Sequence, residues 1–490
     1  MEVIFPEGYQ QLFVSAFGES AWEAYQTATM QPYTRGMRIN PLRSSTHLLP
    51  AVKRVPWAAN AWYVSQTSKI GNDPLHAAGC VYLQEPTAMG PVTVLAPRQG
   101  EHILDLCAAP GGKTTQIGEL MENSGFLLAN DPHSARAEAL AENVERIGLT
   151  HTAVANAEPK RLTNAYREYF DGILVDAPCS GEGLFRREPE STLHWSLETL
   201  IKNAGRQLQI LEEAYQMLKP GSRLVYSTCT FNPIENELVC AKFAIAHPDM
   251  QMLPVALPNI DAGLSTVQLK HAAEAHPLIR QMLDAMPLHW DEIPTQLAGR
   301  FFPHHCEGEG HFIARFEKMQ KKPRSDSSKR PERRPERNFN AKNRALESEF
   351  EVFSRQVLTV DFLDWLKTTR TLQTIGDTLY ALTEGAMRIH PLLRPGLALL
   401  RTEYGHAVPH HSLALALKPE DVQQDICLHH GDDRILDYLK GLTIPCVNLN
   451  GWVLVTVDGA PLGWGKAVNG VLKNHYPKGL RRPYQFAGAD

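Results

Sequence analysis

The sequence predicts an α/β fold in which a doubly wound, mostly parallel sheet spans residues 96–317. Short apolar runs typical of buried strands alternate there with segments of helical periodicity. In addition, residue types that carry chemistry directly follow several of those strands. Since ligands bind at the carboxyl edge of parallel sheets, we expect one sheet edge to hold a glycine turn and two thiols.

The individual elements follow from the same patterns in chain order. Strands are predicted at 102–106, 125–131, 152–157, 171–176, 222–228 and 310–316. Helices are predicted at 113–122, 134–147 and 198–218. Gly148 ends the second helix and the run Lys219-Pro220-Gly221 ends the third, because glycine and proline stop helices.

A chain of 490 residues is long enough for roughly two to four domains. Residues 1–95 form an α+β extension, followed by the doubly wound domain. Residues 318–346 are poor in large apolar side chains and predict a flexible linker. Apolar patterning resumes in a small middle domain, 347–395, and a C-terminal α+β or β-rich domain, 396–490. Strands are predicted in these two domains at 371–382, 397–402, 412–417 and 452–457.

Composition argues against several classes of protein. Apolar residues make up 43% of the chain and charged residues 21%, as in soluble globular proteins. No apolar run approaches the roughly 18 residues of a membrane span, and the amino terminus lacks the features of a signal peptide. The 8 cysteines show no CxxC spacing, which argues against a disulfide framework and a metal site. We therefore expect a cytoplasmic protein with reduced thiols, no metal and no membrane contact.

Charge is distributed unevenly along the chain. The net charge is −5, yet residues 318–344 contain 11 lysines and arginines against 3 acidic residues. A basic tract on an otherwise acidic chain fits a polyanionic partner, because phosphate contacts release counterions. A solvated linker that contacts nothing explains the run equally well.

A glycine turn follows the first strand of the predicted sheet. Residues 107–114 read Cys-Ala-Ala-Pro-Gly-Gly-Lys-Thr and open a helix. Glycine lets the backbone approach a ligand, and a helix amino terminus offers free N–H groups, so the turn is a candidate cofactor site. It is not a Walker phosphate loop, which needs glycine at position 107, and a G-x-G-x-x-G fingerprint is absent. The simpler alternative is a plain turn between strand and helix.

Three polar residues end later strands of the predicted sheet. Asp131 is placed to accept both hydroxyls of a ribose, or to cap the helix that follows it. Asn156 could accept a hydrogen bond from the exocyclic amine of a base, or be an ordinary turn residue. Asp176 could bind the cofactor or a base, and the nearby Arg186 and Arg187 are candidate phosphate ligands.

The two thiols, Cys179 and Cys229, follow neighbouring strands of the predicted sheet. Pro178 fixes the backbone just before the first of them. A reactive cysteine needs a lowered pKa or a nearby base, and no histidine lies close to Cys229 in the sequence. Cys229 is therefore predicted to attack something other than a peptide. Alone, Cys179 is explained equally well as a buried structural thiol.

The order and spacing of these motifs resemble the cytosine-C5 RNA methyltransferases of the Nol1/Nop2/Sun family. The resemblance rests on residues 107–114, Asp131 with Arg136, 176–181 and 227–230, and extends over roughly residues 30–317. Two further segments, 38–40 and 82–86, are similar to the family's N-terminal extension. Residues 462–463 and 472–477 are similar to the bacterial small-subunit ribosomal RNA branch, which carries a PUA-like RNA-binding module near the C-terminus.

The resemblance implies a Rossmann-like methyltransferase domain that uses S-adenosylmethionine, between RNA-binding N- and C-terminal domains. It makes Cys229 the nucleophile and Cys179 the helper in product release. From the chemistry of the reaction, Asp176 could hold the ring N3 and the exocyclic amine of the base. Position 156 usually carries aspartate in the family, so Asn156 predicts altered affinity with unchanged chemistry. The implied cofactor-binding residues are Cys107, Ala108, Ala109, Pro110, Gly111, Gly112, Lys113, Asp131, Arg136, Asn156 and Asp176.

The expected function is therefore methylation of cytosine C5 in RNA by a monomeric enzyme, with small-subunit (16S) ribosomal RNA as the leading substrate. Three alternatives stay open at this point. The substrate could be transfer RNA, since the catalytic residues do not select it. The methyl acceptor could be an exocyclic amine, which needs no thiol. The protein could also be a non-catalytic RNA-binding factor for ribosome assembly.

Overall fold

The computed structural model describes residues 3–43, 53–320 and 341–487. Two helices open the chain, and their aromatic side chains pack under the later active-site loops, as Tyr9 against Phe185 and Tyr25 against Phe231. A small antiparallel sheet follows, in the strand order β2-β3-β1-β4. The elements of this region are α1 (Tyr9–Phe17), α2 (Glu19–Thr29), β1 (Gly36–Ile39), β2 (Lys53–Arg54), β3 (Ala61–Tyr63), α3 (Pro74–Ala77), β4 (Val81–Leu83) and α4 (Gly90–Leu95).

Among the described residues, the central sheet has nine strands. They are β5 (His102–Asp105), β6 (Phe126–Asn130), β7 (Thr152–Ala155), β8 (Phe170–Asp176), β9 (Leu218–Thr228), β10 (Met250–Leu253), β11 (Asp261–Ala262), β12 (Gly299–Phe301) and β13 (His311–Lys318). The order is β11-β12-β13-β9-β8-β5-β6-β7, and β10 pairs with β13. The pairs among β5 to β9 are parallel, whereas those of β10 to β13 are antiparallel. The predicted doubly wound α/β fold is thus confirmed.

Seven helices accompany this sheet. They are α5 (Gly112–Leu120), α6 (Ser134–Ile147), α7 (Pro159–Ala165), α8 (Leu197–Met217), α9 (Glu237–Ala246), α10 (Thr266–Ala275) and α11 (Pro277–Asp284). Helix α6 shows why the sequence folds this way: its buried residues recur at helical spacing, and it ends where Gly148 adopts a φ of 81°. Helix α8 ends at Met217, and the following Lys-Pro-Gly run is already part of β9.

The topology places the functional edge of the sheet. Strands β6 and β7 lie on one side of β5, whereas β8 and β9 lie on the other. The strand order therefore reverses between β5 and β8, and a ligand crevice is expected at the carboxyl ends of these two strands.

Residues 341–487, the described C-terminal range, form two further sheets. The first is β14 (Thr371–Ile375), β15 (Thr378–Leu382), β16 (Gly396–Glu403) and β17 (His406–Pro409) in sequential order. The second has the order β18-β20-β21-β22-β19 and consists of β18 (Asp425–Leu428), β19 (Ile444–Pro445), β20 (Gly451–Val457), β21 (Ala460–Val468) and β22 (Val471–Asn474). The helices are α12 (Ala341–Val357), α13 (Val360–Thr369), α14 (His411–Ala416) and α15 (Asp433–Lys440).

Three expectations for this region differ from the structure. Residues 412–417 are predicted to form a strand, but they lie mostly in helix α14. The His410 ring accepts a hydrogen bond from the Ser412 N–H at 3.1 Å, which caps the helix. A short apolar run of this kind is compatible with a buried strand and with a buried helix alike. The expected linker at 318–346 is folded at both ends, since β13 includes Lys318 and α12 begins at Ala341. Residues 321–340 lie outside the described residues. Strands β15 and β16, which lie on either side of position 395 in the sequence, pair with each other. One sheet therefore joins the two domains that the sequence predicts at 347–395 and 396–490.

A buried ion pair connects strand β12 to helix α9. Arg300 and Glu237 are both fully buried, and the guanidinium donates to both carboxylate oxygens at 2.7 and 2.8 Å. We expect Glu237→Ala to lower the free energy of unfolding by about 3–5 kcal/mol, because it leaves the arginine buried and unpaired. Urea denaturation measures this loss. Glu198→Ala breaks the exposed pair with Lys202 and serves as the control, with no resolvable change expected.

Within the three described ranges, no helix is both long and apolar enough to cross a membrane. Among the same residues, no group of three or more histidine, cysteine, aspartate or glutamate side chains is arranged to hold a metal ion.

Candidate active site

A cavity of about 830 Å³ opens at the carboxyl ends of β5, β6, β8 and β9. Its lining includes the glycine turn, the strand-end carboxylates and both predicted thiols. Helices α7 and α8 contribute the outer wall, with Lys160 on the first and Arg206 on the second. The strand reversal and the chemistry-bearing residues therefore coincide.

The glycine turn joins β5 to α5. Gly111 has a φ of 113° at the position before the helix, and an added Cβ would lie 3.2 Å from the Leu140 side chain. Only glycine adopts this conformation readily, so the residue type is required by the backbone. Gly111 itself is not part of the cavity lining, whereas Gly112 and Lys113 are. The turn thus presents the start of α5 to the cavity.

Asp131 follows β6, is almost fully buried and contributes to the cavity lining. One carboxylate oxygen accepts from the His133 N–H at 3.0 Å, and the other pairs with Arg136 at 3.2 Å. The exposed Asn156 is not in the lining. Its side-chain amide donates to the Asp131 carbonyl at 2.8 Å and so holds the backbone of the acidic residue.

Asp105, at the end of β5, is a carboxylate that the sequence reasoning treated only as part of the strand. The Thr114 hydroxyl donates to one of its oxygens at 2.6 Å. The other oxygen is buried and has no hydrogen-bond partner among the described residues. Burial raises the pKa of this carboxyl to about 7. Because Asp105 lines the cavity, the free oxygen is an acceptor available to a ligand that carries a donor.

Asp176, the last residue of β8, is the centre of a polar cluster. Lys113 donates to one carboxylate oxygen at 2.7 Å, and Ser227 donates to the other at 2.7 Å. His311 on β13 lies 3.2 Å from that second oxygen. Burial alone would raise the pKa of Asp176, but the Lys113 charge and the His311 contact hold it well below its ordinary value. The carboxylate is therefore ionised and preoriented at neutral pH.

The two thiols lie side by side. Strands β8 and β9 pair in parallel with Asp176 opposite Ser227, and each cysteine follows within three residues. The sulfur atoms of Cys179 and Cys229 are 3.4 Å apart, and both residues are partly exposed to the cavity. The hydrogen bond with Cys229, together with burial, raises the pKa of Cys179 well above its usual value. Cys179 is therefore protonated at neutral pH.

Two buried glutamates hold the loops that carry these thiols. Glu182 accepts from the backbone N–H groups of Phe231 and Asn232 at 2.6 and 3.0 Å. Glu235 accepts from the Ser180 N–H at 3.0 Å. The Asn232 amide bridges the two acids, at 2.8 Å from Glu182 and 3.0 Å from Glu235. Each loop is thus fixed by an acid that belongs to the other.

Glu235 also anchors helix α8 to the same place. The Gln207 amide donates to Glu235 and to the Pro178 carbonyl, both at 3.0 Å. Burial, followed by the charge of Glu182, raises the pKa of Glu235 to about 7. The ionisation of Glu235 is therefore linked to the position of the Cys179 loop.

The chain is similar to known proteins along almost its whole length. Family models match three stretches: "N-terminal domain of 16S rRNA methyltransferase RsmF" at 5–86, "16S rRNA methyltransferase RsmB/F" at 92–317 and "Methyltransferase RsmF PUA domain" at 426–482. Ribosomal RNA small subunit methyltransferase F of Vibrio vulnificus (strain YJ016) is 30% identical over 493 residues, which cover 98% of this chain and 97% of that protein. The chain belongs to the RsmF family of methyltransferases.

Solved structures agree with the RsmF assignment. A methyltransferase homolog from Pyrococcus horikoshii is 30% identical, with a TM-score of 0.52, over 63% of this chain and 93% of that one. NSun6 from the same organism, solved with SFG, is 20% identical and has a TM-score of 0.51 over 65% of this chain and 100% of its own, which supports the fold. The resemblance inferred from the motifs is therefore confirmed, and the RsmF-family chain is an S-adenosylmethionine-dependent methyltransferase.

The cavity fits S-adenosylmethionine in size and in chemistry. A volume of about 830 Å³ lies in the usual range for small-molecule sites. The free oxygen of Asp105 and the carboxylate of Asp131 offer acceptors for an amino group and for ribose hydroxyls. Glycine at the start of α5 leaves the backbone accessible to the ligand.

The structure gathers most of the predicted site residues in one cavity. Gly111 and Asn156 lie outside the lining and act on it through the backbone. The predicted residues that line it are Cys107, Ala108, Ala109, Pro110, Gly112, Lys113, Asp131, Arg136, Asp176, Cys179 and Cys229. Asp105 was detectable in the sequence, because an acidic residue close to the end of a predicted strand is the same signal that identified Asp131. His311 and Glu235 carried no such signal.

Proposed function

We propose that this RsmF-family protein methylates C5 of a cytosine in small-subunit (16S) ribosomal RNA through a transient bond between Cys229 and cytosine C6. One observation carries the proposal: two thiols 3.4 Å apart share a cavity with the glycine turn and the strand-end carboxylates. A methyltransferase that acts on an amine nitrogen has no need for a thiol pair, because that atom has its own lone pair.

The need for sulfur follows from the ring chemistry. Cytosine C5 is too weak a nucleophile to take a methyl group directly. Cys229 loses its proton and its sulfur adds to C6, which makes C5 enamine-like. S-Adenosylmethionine, when bound, supplies an electrophilic methyl group, which C5 would take with the enamine electron pair as the bond between that methyl carbon and the donor sulfur breaks. The C5 proton then leaves to a base, the C5–C6 double bond reforms, and the sulfur departs from C6 and regains a proton. The enzyme is thereby restored, and the base gains one methyl group in place of one hydrogen.

Asp176 is assigned to the base. Its ionised carboxylate is held by Lys113, Ser227 and His311, and it remains about 28% exposed towards the cavity. An oxygen fixed in this way accepts a hydrogen bond from the exocyclic amine of cytosine and aligns C6 with the thiol. The neighbouring Lys113 cation stabilises negative charge that develops on the ring during attack.

The protonated Cys179 is assigned to the release step. Its S–H group, 3.4 Å from the Cys229 sulfur, donates to that sulfur as the bond to C6 breaks. Addition by Cys229 does not depend on this donor to the same extent. The two thiols thereby divide attack and release between them.

The cofactor is assigned to the β5–β6 side of the cavity. The turn residues 107–110, 112 and 113 would face the methionine part and Asp131 the ribose. Arg136 would lie at the outer edge, where it pairs with Asp131. Asp105 adds an acceptor for the amino group. The Asn156 side chain donates to the backbone carbonyl of Asp131 and keeps that residue in place. A substitution of Asn156 would therefore alter the affinity for the cofactor and leave the chemistry unchanged.

The substrate class rests on the relatives, which are named as small-subunit ribosomal RNA enzymes, and on the PUA match at 426–482. The test incubates purified protein with labelled S-adenosylmethionine and, separately, 16S ribosomal RNA, assembled small subunits or transfer RNA. Bisulfite sequencing then locates the product. We expect a C5-methylated cytosine in 16S ribosomal RNA, which resists deamination by bisulfite. Label on an exocyclic amine, on transfer RNA alone, or on nothing would overturn the proposal.

Glu235→Gln tests whether the buried acids position Cys179. In the wild-type protein, the Glu235 carboxylate accepts from Ser180, Gln207 and Asn232. Glutamine would place an NH₂ group opposite one or more of these donors, so we expect kcat for methyl transfer to fall about tenfold near pH 8. The pKa of Glu235 is raised to about 7, so acidification protonates the wild-type carboxyl and creates the same conflict. The ratio of wild-type to variant kcat should therefore shrink towards one near about pH 5.5. A ratio that stays constant with pH would contradict the positioning role.

A further inference from the structure

Helix α8 forms one wall of the active-site cavity, and a face of this helix is unused by the proposed chemistry. The lining residues on this face are Arg206, Gln209, Ile210 and Glu213. They recur at intervals of three and four, so they form one stripe along the helix. Arg206 is at the amino-terminal end of the stripe, and its side chain is exposed.

Arg206 lies close to the thiol loop. The adjacent Gln207 is fully buried and donates to the Pro178 carbonyl at 3.0 Å, directly before Cys179. Arg206 has neither an ion-pair nor a hydrogen-bond partner for its guanidinium within the described part of the chain. Glu213 is separated from it by two helical turns, or roughly 10 Å along the axis, so the two do not neutralise each other.

A second cation approaches the same cavity from the loop after Cys179. Arg187 lines the cavity, and its side chain is 46% exposed. It pairs with Glu188 at 3.5 Å, in a contact that solvent screens. Its neighbour Arg186 is different, because it is buried against Glu309 and donates to the Ala28 carbonyl. The expectation that Arg186 binds phosphate is therefore corrected: its charge is used within the fold.

We infer that Arg187 and Arg206 bind the RNA phosphates on either side of the cytidine that enters the cavity. The inference rests on the proposed RNA substrate. A base that reaches the thiols must leave its stack, and its flanking phosphates then lie at the cavity mouth. Both exposed guanidinium groups line the cavity that holds the thiols, and each can donate two hydrogen bonds to a phosphate and neutralise its charge. Lys160 and Glu158 also line the cavity, but their charges are opposite and contribute no net attraction.

The experiment measures steady-state methylation of 16S ribosomal RNA by Arg187→Ala and Arg206→Ala at several salt concentrations. We expect each change to raise KM for RNA about five- to tenfold at low salt, with kcat within about twofold of wild type. Each should also reduce the slope of log KM against log salt concentration by about 0.7–1, the contribution of one phosphate contact. Arg206→Lys should restore the slope and part of the affinity, because it keeps the charge.

Lys202→Ala is the matched control. Lys202 lies one turn before Arg206 on α8, is highly exposed, pairs with Glu198 and does not line the cavity, so KM and the salt slope should stay at the wild-type values. The affinity for S-adenosylmethionine, measured separately, should be the same in all variants. An unchanged KM in both arginine variants, or a raised KM with an unchanged salt slope, would overturn the inference. Absence of RNA methylation by the wild-type protein would instead refute the proposed function.

Discussion

Cys229→Ala is expected to abolish methyl transfer to RNA while S-adenosylmethionine still binds. The sulfur is the only atom that activates C5 in the proposed reaction, so its loss should lower kcat by at least about 10³-fold, or about 4 kcal/mol of transition-state stabilisation. Cofactor binding should persist, because the glycine turn and Asp131 follow β5 and β6, whereas Cys229 follows β9. Labelled methyl transfer and calorimetric titration of the cofactor measure the two effects.

Two variants show whether the effect comes from the nucleophile. Cys229→Ser places an oxygen at nearly the same position, but a hydroxyl is far less ionised than a thiol, so this variant should be as inactive as alanine. Cys427→Ala removes an exposed cysteine of the C-terminal domain and should retain full activity. Full turnover by Cys229→Ser would contradict the covalent route and favour methylation of an exocyclic amine.

Much of the site can be predicted from the sequence by one rule of sheet topology. Apolar runs predict buried strands, parallel strands end at one edge, and the residues that follow them therefore meet. This rule places Asp131, Asp176 and the two thiols in one cavity without any coordinates. Strand pairing also explains the distance between the sulfurs, since Asp176 and Ser227 are opposite each other in the sheet.

Other parts of the site depend on contacts that no local pattern encodes. His311 belongs to β13, the antiparallel strand at the C-terminal end of the domain that contains the central sheet. Only the pairing of β13 with β9 brings His311 to Asp176. The roles of the neighbouring arginines are likewise set by tertiary packing, because Glu309 lies more than 120 positions from Arg186. A charge pattern predicts that cations are present near the cavity, but it does not tell which of them is free to bind.

Cys179→Ala is expected to trap RNA on the protein. The variant keeps Cys229, the cofactor site and Asp176, so addition to C6 and methylation should proceed. It lacks the donor that lies 3.4 Å from the departing sulfur, so elimination should slow by about 10²- to 10⁴-fold, the usual contribution of a positioned acid. A protein–RNA species that survives denaturation should then accumulate as a slowly migrating band on a gel.

The double variant Cys179→Ala/Cys229→Ala identifies the bond that holds the trapped RNA. If the adduct forms through Cys229, the band should disappear in the double variant. With Cys179→Ala, the band should also fail to form when the target cytidine of the RNA is replaced by uridine, because uridine has no exocyclic amine for Asp176 to recognise. Retention of the band in the double variant would locate the bond at another residue. Absence of the band in Cys179→Ala, with turnover as fast as wild type, would show that release does not depend on the second thiol, and would leave Cys179 with a structural role beside the nucleophile.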